Sequence, residues 1–455
     1  MQDMVQAALG HHRQRRFTEA EQLYRSILAI DPRHPDALHL LGMVAFQTGR
    51  SEEAAALIRT AIDLKGNAPA YHSNLGNVLE SQGKIAEAGA CYQRALLLNP
   101  DSAEIYVNLG NIFRAQGQLN SSLDCYRRAM ALSPGMADAA AAESAVLLLK
   151  GDFVAGWPGS EHRWLTSDHT TPPRDYPWPR WTGGPLASGR LLIWGEQGIG
   201  DEIMFAGLTS DLVRSGIRCI LDCDPRLRPL FARSFPALDV VTGFAPATHP
   251  ESNVAAHLPS GSLPGLFRAS SAAFAATTSP YLKADPVQQA RFRARYADGR
   301  KLVGVAWHTS NRKTGRLRSM DLSLFASLFA VPGIRWISLQ YGGADALEKD
   351  AAAAQAPILI DREVDQLSSQ PSSIDRFAAQ VAAMDLVITI DNSIAHLAGA
   401  LAVPTWVLLP FAPDWRWQLD REDSPWYPSL HLFRQPRMGD WPSVVARVED
   451  ALRAL

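Results

Sequence analysis

Trp194-Gly195-Glu196-Gln197-Gly198-Ile199-Gly200-Asp201-Glu202 is the stretch that decides how the second half of the chain is read. The apolar run Leu191-Leu192-Ile193-Trp194 leads into it, and a helix-like segment from Ile203 to Val213 leaves it. A strand that passes through a glycine turn into a helix exposes backbone N–H groups and leaves room for a ligand. Asp201 adds a carboxylate where the chain turns. Gly198 and Gly200 let the backbone approach whatever that carboxylate serves.

Working outward from this turn, apolar runs of strand length alternate with helical patterns. The runs are Arg190–Trp194, Ile217–Cys223, Leu238–Val241, Lys301–Ala306, Arg335–Leu339, Ile358–Ile360, Leu386–Ile390 and Thr405–Leu409. Such alternation predicts parallel sheets with helices on both faces. The runs fall into two sets, divided by the helix-like Val287–Tyr296. The expected architecture is two Rossmann-like lobes, residues 188–298 and 299–455, with ligands outside the C-terminal ends of the strands. The last helix, Ser443 to Leu455, is a candidate to pack back on the first lobe.

Three stretches of the second lobe carry chemistry. His308-Thr309-Ser310-Asn311-Arg312-Lys313, continuing through Arg316, Arg318 and Ser319, follows a strand end. Its hydroxyls, amide and cations suit a diphosphate, with His308, Thr309, Ser310, Lys313 and Arg318 as the candidate contacts. The alternative is a solvated basic loop. Asp391-Asn392-Ser393-Ile394-Ala395-His396 follows another strand and opens a small-residue helix, whose N-terminus favours a phosphate. Asp391, Asn392, Ser393 and His396 are candidates there; for His396 the competing reading is a structural hydrogen-bond partner. Phe411-Ala412-Pro413-Asp414-Trp415-Arg416-Trp417 offers aromatic rings with an arginine between them, for stacking on a ligand or for loop packing.

Residues 1–136 follow a different rule, a period of 34. Ala8, Gly42, Gly76 and Gly110 share one repeat position; Ala20, Ala54, Ala88 and Ser122 another; Tyr24, Ile58, Tyr92 and Tyr126 a third. Small residues stand where paired helices cross closely, and large ones fill the gap between pairs. Pro32, Gly66, Pro100 and Pro134 close the units. Four such units stack into a solenoid with a groove. Asn74 and Asn77 recur one repeat later as Asn108 and Asn111, an amide ladder able to hydrogen-bond a peptide backbone. Residues 137–187 then supply helices to close the array and a connector rich in proline and tryptophan (Pro172, Pro173, Pro177, Trp178, Pro179, Trp181).

Composition limits the function. A net charge of -2 gives no reason to expect nucleic acid as a partner. The four cysteines form neither a disulfide framework nor a zinc pattern and suit a reducing, cytoplasmic compartment. The N-terminus lacks the apolar core of a signal peptide, and Pro404 and Pro410 break the most apolar run, so no membrane span is expected. Asp222-Cys223-Asp224 is the one Asp-x-Asp pair; it reads better as a turn cap than as a metal site. No metal and no cofactor are expected.

The repeats resemble the tetratricopeptide repeat, and the asparagine ladder is similar to that of protein O-GlcNAc transferases, where it binds acceptor protein. The Gly-Ile-Gly-Asp turn, the hydroxyl-and-cation loop and Asp391-Asn392-Ser393-Ile394-Ala395-His396-Leu397-Ala398-Gly399-Ala400-Leu401 together resemble the heptosyltransferase family of glycosyltransferases, over roughly the last 270 residues. Asn392 and Ser393 depart from that family's pattern, which has Thr or Ser and then glycine. The resemblance implies a GT-B fold, an α/β pair of Rossmann-like lobes behind an α-solenoid. It implies Asp201 as general base on the acceptor side of the cleft, Arg318 in place of a lysine, and a nucleotide-sugar co-substrate held by the second lobe. The implied activity is metal-independent inverting transfer to an acceptor, protein or peptide, brought by the repeats. The alternatives are a repeat scaffold whose C-terminal half has lost transfer, and a different enzyme on paired Rossmann lobes. Ile203, where a dinucleotide fingerprint has its third glycine, weakens the last.

Overall fold

The structure is a computed structural model of residues 1–455 and describes all of them except 168, 170, 278, 311–314, 365–369 and 371–372. The chain forms two compact units, Met1–Val146 and Leu147–Leu455.

In the first unit each period is a pair of helices: α1 (Gln2–Arg13) with α2 (Phe17–Ile30), α3 (Pro35–Gln47) with α4 (Ser51–Leu64), α5 (Pro69–Ser81) with α6 (Ile85–Leu98), and α7 (Ala103–Ala115) with α8 (Leu119–Leu132). The small-residue position is where they cross. A Cβ at Gly42 would fall 2.7 Å from Ile58, at Gly76 2.6 Å from Tyr92, and at Gly110 2.5 Å from Tyr126. The turns inside the pairs use Gly49, Gly83 and Gly117 at positive φ. Arg15 takes the same left-handed conformation in the first pair, at a cost a glycine does not bear.

Two of the four ladder asparagines have a structural task. The Tyr92 hydroxyl donates to Asn77 Oδ1 at 2.7 Å, and the Tyr126 hydroxyl to Asn111 Oδ1 at 2.8 Å. In the first repeat Leu9 stands where these asparagines stand, and the buried Tyr24 hydroxyl finds no partner among the described residues.

The second unit begins within α9 (Ala137–Leu149) and continues with α10 (Phe153–Ser160). Its first sheet contains β1 (Arg190–Trp194), β2 (Cys219–Asp222), β3 (Asp239–Val241) and β4 (Val254–Pro259), all parallel, in the order β3-β2-β1-β4. Helices α11 (Ile199–Ala206), α12 (Thr209–Arg214), α13 (Arg228–Ser234) and α14 (Leu263–Phe267) connect and flank these strands. After α15 (Pro286–Tyr296) comes a second parallel sheet of β5 (Lys301–Val305), β6 (Ile334–Ser338), β7 (Ile358–Leu359), β8 (Leu386–Ile390), β9 (Thr405–Leu409) and β10 (Leu430–Arg434). Its order, β10-β9-β8-β5-β6-β7, is the doubly wound Rossmann order. Its helices are α16 (Gly315–Arg318), α17 (Ala326–Phe329), α18 (Ala344–Ala353), α19 (Ser373–Ala382), α20 (Ser393–Ala400) and α21 (Trp441–Arg453).

Four departures from the sequence reading have physical causes. Strands β4 and β10 were hidden, because each is a short run interrupted by histidine (His257, His431) and bounded by proline. The connector belongs to the α/β unit: α10 packs on α14, and Trp164, Tyr176 and Trp178 lie on Leu192, Trp194, Ile220 and Val254. Among the described residues these rings, and no α-helix, form the apolar cluster on that sheet face. Trp181 N–H donates to His257 O at 2.9 Å and His257 N–H to Pro179 O at 3.1 Å, so the connector also extends the β4 edge. Finally, α21 packs on β10 and α17 of its own lobe, because its stripe of Trp441, Val444, Val445, Val448 and Leu452 joins the core around Val303 and Phe325.

The loops after β1 and β2 are tied by Glu202. Its carboxyl lies over Gly195, where any Cβ would displace it, and accepts the Asp224 N–H at 2.9 Å. Burial pushes its pKa up from an ordinary 4.5 to about 8, against the pull of the Asp224 N–H and with smaller pushes from the Asp224 and Asp222 carboxylates.

Stability measurements should show two effects. Tyr126→Phe and Tyr92→Phe each lower the stability of the repeat unit by about 1 kcal/mol in urea unfolding, whereas Tyr24→Phe is neutral or stabilising. For Glu202, the folded state binds the proton more tightly than the unfolded chain between pH 4.5 and about 8, so the wild type loses stability as pH rises through that window. Glu202→Gln removes this slope. Its stability relative to wild type should improve by on the order of 1–3 kcal/mol from the acid to the alkaline end of the window, read by thermal unfolding against pH.

Candidate functional site

In a doubly wound sheet the crevice opens where strand order reverses, at the C-terminal ends of the strands. In the second lobe this point lies between β5 and β8, the strands that feed the loops at 306–319 and 391–396. In the first lobe it lies between β1 and β4, above which sit residues 195–200 and 260–262.

The two crests meet. A Cβ at Gly200 would lie 3.2 Å from His396 Cδ2 and 3.4 Å from Ser393 Cα, so the first turns of α11 and α20 touch. A side chain at Gly200 would crowd that approach. One at Gly198 would not: it is the N-cap of α11, and a Cβ there would have only the Asp201 carboxylate near it, at 3.7 Å. Asp201 is therefore the third helical residue, and its side chain reaches back to accept the Gly198 N–H, as in a capping box.

Behind the turn, Glu196 is buried and fixed. Arg163 grips it through two hydrogen bonds of 2.7 Å, and the Gly261 N–H donates to it at 2.9 Å, tying the β1 crest to the β4 crest and the connector. Gln197 takes a left-handed φ of 67° to make the turn, and its N–H donates to Thr171 Oγ1 at 2.7 Å.

In front of the turn, Asp201 forms an ion pair with Arg416 from the loop after β9. Asp414 takes another nitrogen of the same guanidinium at 2.7 Å, and the guanidinium lies over the Trp415 ring at 4.6 Å. Arg318, at the end of α16, pairs with the buried Asp391 at 3.0 Å. Burial pushes the Asp201 carboxyl above the usual carboxylate range, and Arg416 pulls it part of the way back. Asp391 is likewise raised by burial against the pull of Arg318. Burial also acts to raise Asp414, but Arg416 and Arg318 outweigh it and hold Asp414 below its ordinary value.

The α20 N-terminus is less open than the sequence suggests. Asn392 is the N-cap, and its Oδ1 accepts the Ile394 N–H at 2.9 Å, the Ala395 N–H at 3.4 Å and the Thr389 hydroxyl at 3.1 Å. An asparagine here fills the cradle that a smaller residue would leave to a ligand. Ser393 Oγ donates to the Tyr341 hydroxyl at 3.0 Å. His396 is buried: its Nδ1 lies 2.9 Å from the Tyr427 hydroxyl and its ring stacks on Trp417. Burial lowers its pKa to about 3, with Arg416 adding to the effect. It is a neutral packing and hydrogen-bonding partner.

On the β5 crest the Trp307 and His308 N–H groups donate to Gln340 Oε1 at 2.9 and 2.8 Å, and the Thr309 N–H to Ser319 Oγ at 3.1 Å. The side chains of His308 and Ser310 are exposed. Lys313, with Asn311 and Arg312, lies outside the described residues. The aromatic stretch after β9 resolves to packing: Trp415 meets Trp157 edge-on at 5.4 Å, and Trp417 is fully buried. The sequence offers Arg416 only as a stacking group; its pairing with Asp201 and Asp414 is what sequence reasoning missed. The available signal is the alternation of charge with tryptophan over 414–417, in which the rings draw attention away from the charges.

Asp222 and Asp224 do not converge on one point. Asp222 is buried against Arg174 and accepts the Phe244 N–H at 3.2 Å, while Asp224 caps its own turn through the Arg226 N–H at 2.9 Å. Among the described residues no group of three or more His, Cys, Asp or Glu could hold a metal ion. In the repeats, Asn74 Nδ2 lies 2.8 Å from His39 Nε2, and Asn108 Nδ2 donates to Asn77 Oδ1 at 3.2 Å. The ladder thus links successive repeats to one another, with half-buried amides still lining that face.

Residues 11–77 and 67–134 match models of the tetratricopeptide repeat. The chain is 31% identical over 337 residues to Protein FlbA of Caulobacter vibrioides, covering 69% of this chain and 54% of that relative. It spans about half the length of the curated relative it matches. The 337 aligned residues exceed the length of the repeat unit, Met1–Val146, so the similarity continues into the α/β unit. Among solved structures the chain is similar to MamA (20% identity, TM-score 0.31, 34% of this chain and 89% of that one). It is also similar to PilF of Pseudomonas aeruginosa (20%, 0.34, 35% and 73%). A third is YrrB, described as a TPR protein with an unusual peptide-binding site (20%, 0.32, 35% and 82%). No described helix is long and apolar enough to cross a membrane. The N-terminal unit is a tetratricopeptide-repeat solenoid, and the second unit is an α/β structure of two parallel sheets.

Proposed function

We propose that the protein is a glycosyltransferase of GT-B plan, in which Asp201 is the base and the second lobe holds a nucleotide sugar. The observation that carries this reading is the meeting of the two crests at Gly200, which sets the half-buried Asp201 carboxylate of one lobe against Arg416 of the other, beside the Arg318–Asp391 pair. In the proposed step Asp201 takes the proton of an acceptor hydroxyl as its oxygen attacks the anomeric carbon. The bond from that carbon to the donor phosphate breaks, and its electron pair leaves with the nucleoside diphosphate. The two guanidiniums stabilise the departing charge. Attack opposite to the leaving group inverts the anomeric centre, and no metal takes part. The repeats recruit the acceptor, a protein or peptide. The half-buried amides of Asn74, Asn77, Asn108 and Asn111 support that role as a sequence-tolerant surface.

One set of contacts favours a second reading, a non-catalytic scaffold. Asp201 is occupied by Arg416, and Asn392 fills the helix N-terminus that a phosphate would use. Turnover separates the two. Against a panel of nucleotide sugars, with mass spectrometry of co-expressed partner proteins, one donor is consumed by the wild type. Asp201→Asn lowers transfer by about 10²–10⁴-fold without weakening nucleoside diphosphate binding. Transfer at the wild-type rate by that variant removes Asp201 as the base. If no nucleoside diphosphate raises the unfolding temperature, the scaffold reading replaces transfer.

A further inference from the structure

The cluster around Asp201 is out of balance in a way the transfer step by itself does not explain. Among the described residues it gathers three carboxylates, Asp201, Asp391 and Asp414, around two guanidiniums, Arg318 and Arg416. A diphosphate approaching this cluster meets an excess of negative charge unless the arginines turn toward it. Both arginines are meanwhile engaged by carboxylates. Yet the site keeps spare donors: Arg416 Nε–H and the Asn392 Nδ2 amide are buried and find no acceptor among the described residues. A buried donor without an acceptor costs free energy that an incoming oxygen recovers.

We propose that Arg416 is shared between base and donor: in the empty cleft it holds Asp201, and on donor binding it passes to the diphosphate and frees the carboxylate. This rests on the glycosyl-transfer reading and adds to it the order of events. Arg416 is placed for such a transfer. Asp414 and the Trp415 ring fix it from one side, so its guanidinium can exchange one acceptor while keeping the other. The exchange ties the proton affinity of Asp201 to donor occupancy. A free carboxylate is a stronger base than one paired with arginine, so Asp201 becomes competent only when a leaving group is in place. The other charged or titratable groups that act on Asp201 or on which it acts, Asp414, Glu196, His169 and Tyr427, do not exchange partners in this scheme.

Linkage is reciprocal, and this supplies the test. If Asp201 and a diphosphate compete for Arg416, neutralising Asp201 tightens diphosphate binding. ADP, CDP, GDP and UDP are titrated by calorimetry into the full-length wild type, Asp201→Asn, Arg416→Gln and the double variant. Asp201→Asn should bind the preferred diphosphate roughly three- to tenfold more tightly than wild type, the scale of one charge-assisted hydrogen bond. In the Arg416→Gln background the same change should give no gain, a result that a merely structural Arg416 would not produce. Equal or weaker binding by Asp201→Asn overturns the sharing while leaving the transfer reading in place, and this comparison alone decides if Arg416→Gln does not fold. Absence of binding to both wild type and Asp201→Asn overturns the sharing and the transfer reading together.

Discussion

The close approach of α11 and α20 at Gly200 is the constraint on which the α/β unit depends. Two helix N-termini, each with N–H groups that lack intrahelical acceptors and with partial positive charge, are brought into contact in a half-buried setting. That arrangement calls for acceptors and negative charge on the spot. Asp201 reaches back to its own N-cap, Asn392 caps α20 from within, and Asp391 lies buried beside that cap. The arginines then answer the carboxylates. The charge cluster of the cleft is thus a consequence of joining two helix ends.

The same logic runs outward from the cleft. The β1 turn is held from behind by Arg163 through Glu196 and laterally by Glu202 over Gly195. Arg163 belongs to the connector, whose rings also cover the outer face of the first sheet. A segment that looks like a linker in sequence is a structural layer of the lobe, and its tryptophans are committed to that packing. In the repeats a comparable economy applies to the asparagines. Asn77 and Asn111 satisfy tyrosine hydroxyls before they are available to any partner, and the Tyr24 hydroxyl, without a partner among the described residues, marks the repeat that has the tyrosine but not the asparagine.

Much of the candidate site was legible because it lies at strand ends, and strand ends are visible as breaks in apolar runs. The loops after β1, β5 and β8 were found in that way, and the Rossmann order puts the last two at one switch point. The loop after β9 was visible too, but its arginine was not legible as a partner of Asp201, because 215 residues separate them and no local pattern pairs them. His396 was ambiguous for a related reason. Its neutral, buried state depends on Trp417 and Tyr427, which arrive from other loops.

By itself the sequence determined the period of 34, the crossing of each helix pair and the alternation of strand and helix. These depend on contacts between near neighbours or on residue size at fixed spacing, both written along the chain. Only the tertiary structure decided which strands lie side by side, that the connector closes a sheet face, and that α21 stays with its own lobe. It also decided the ionic partners of Asp201. Those outcomes depend on which surfaces remain uncovered and which buried charges remain unpaired once distant segments have met.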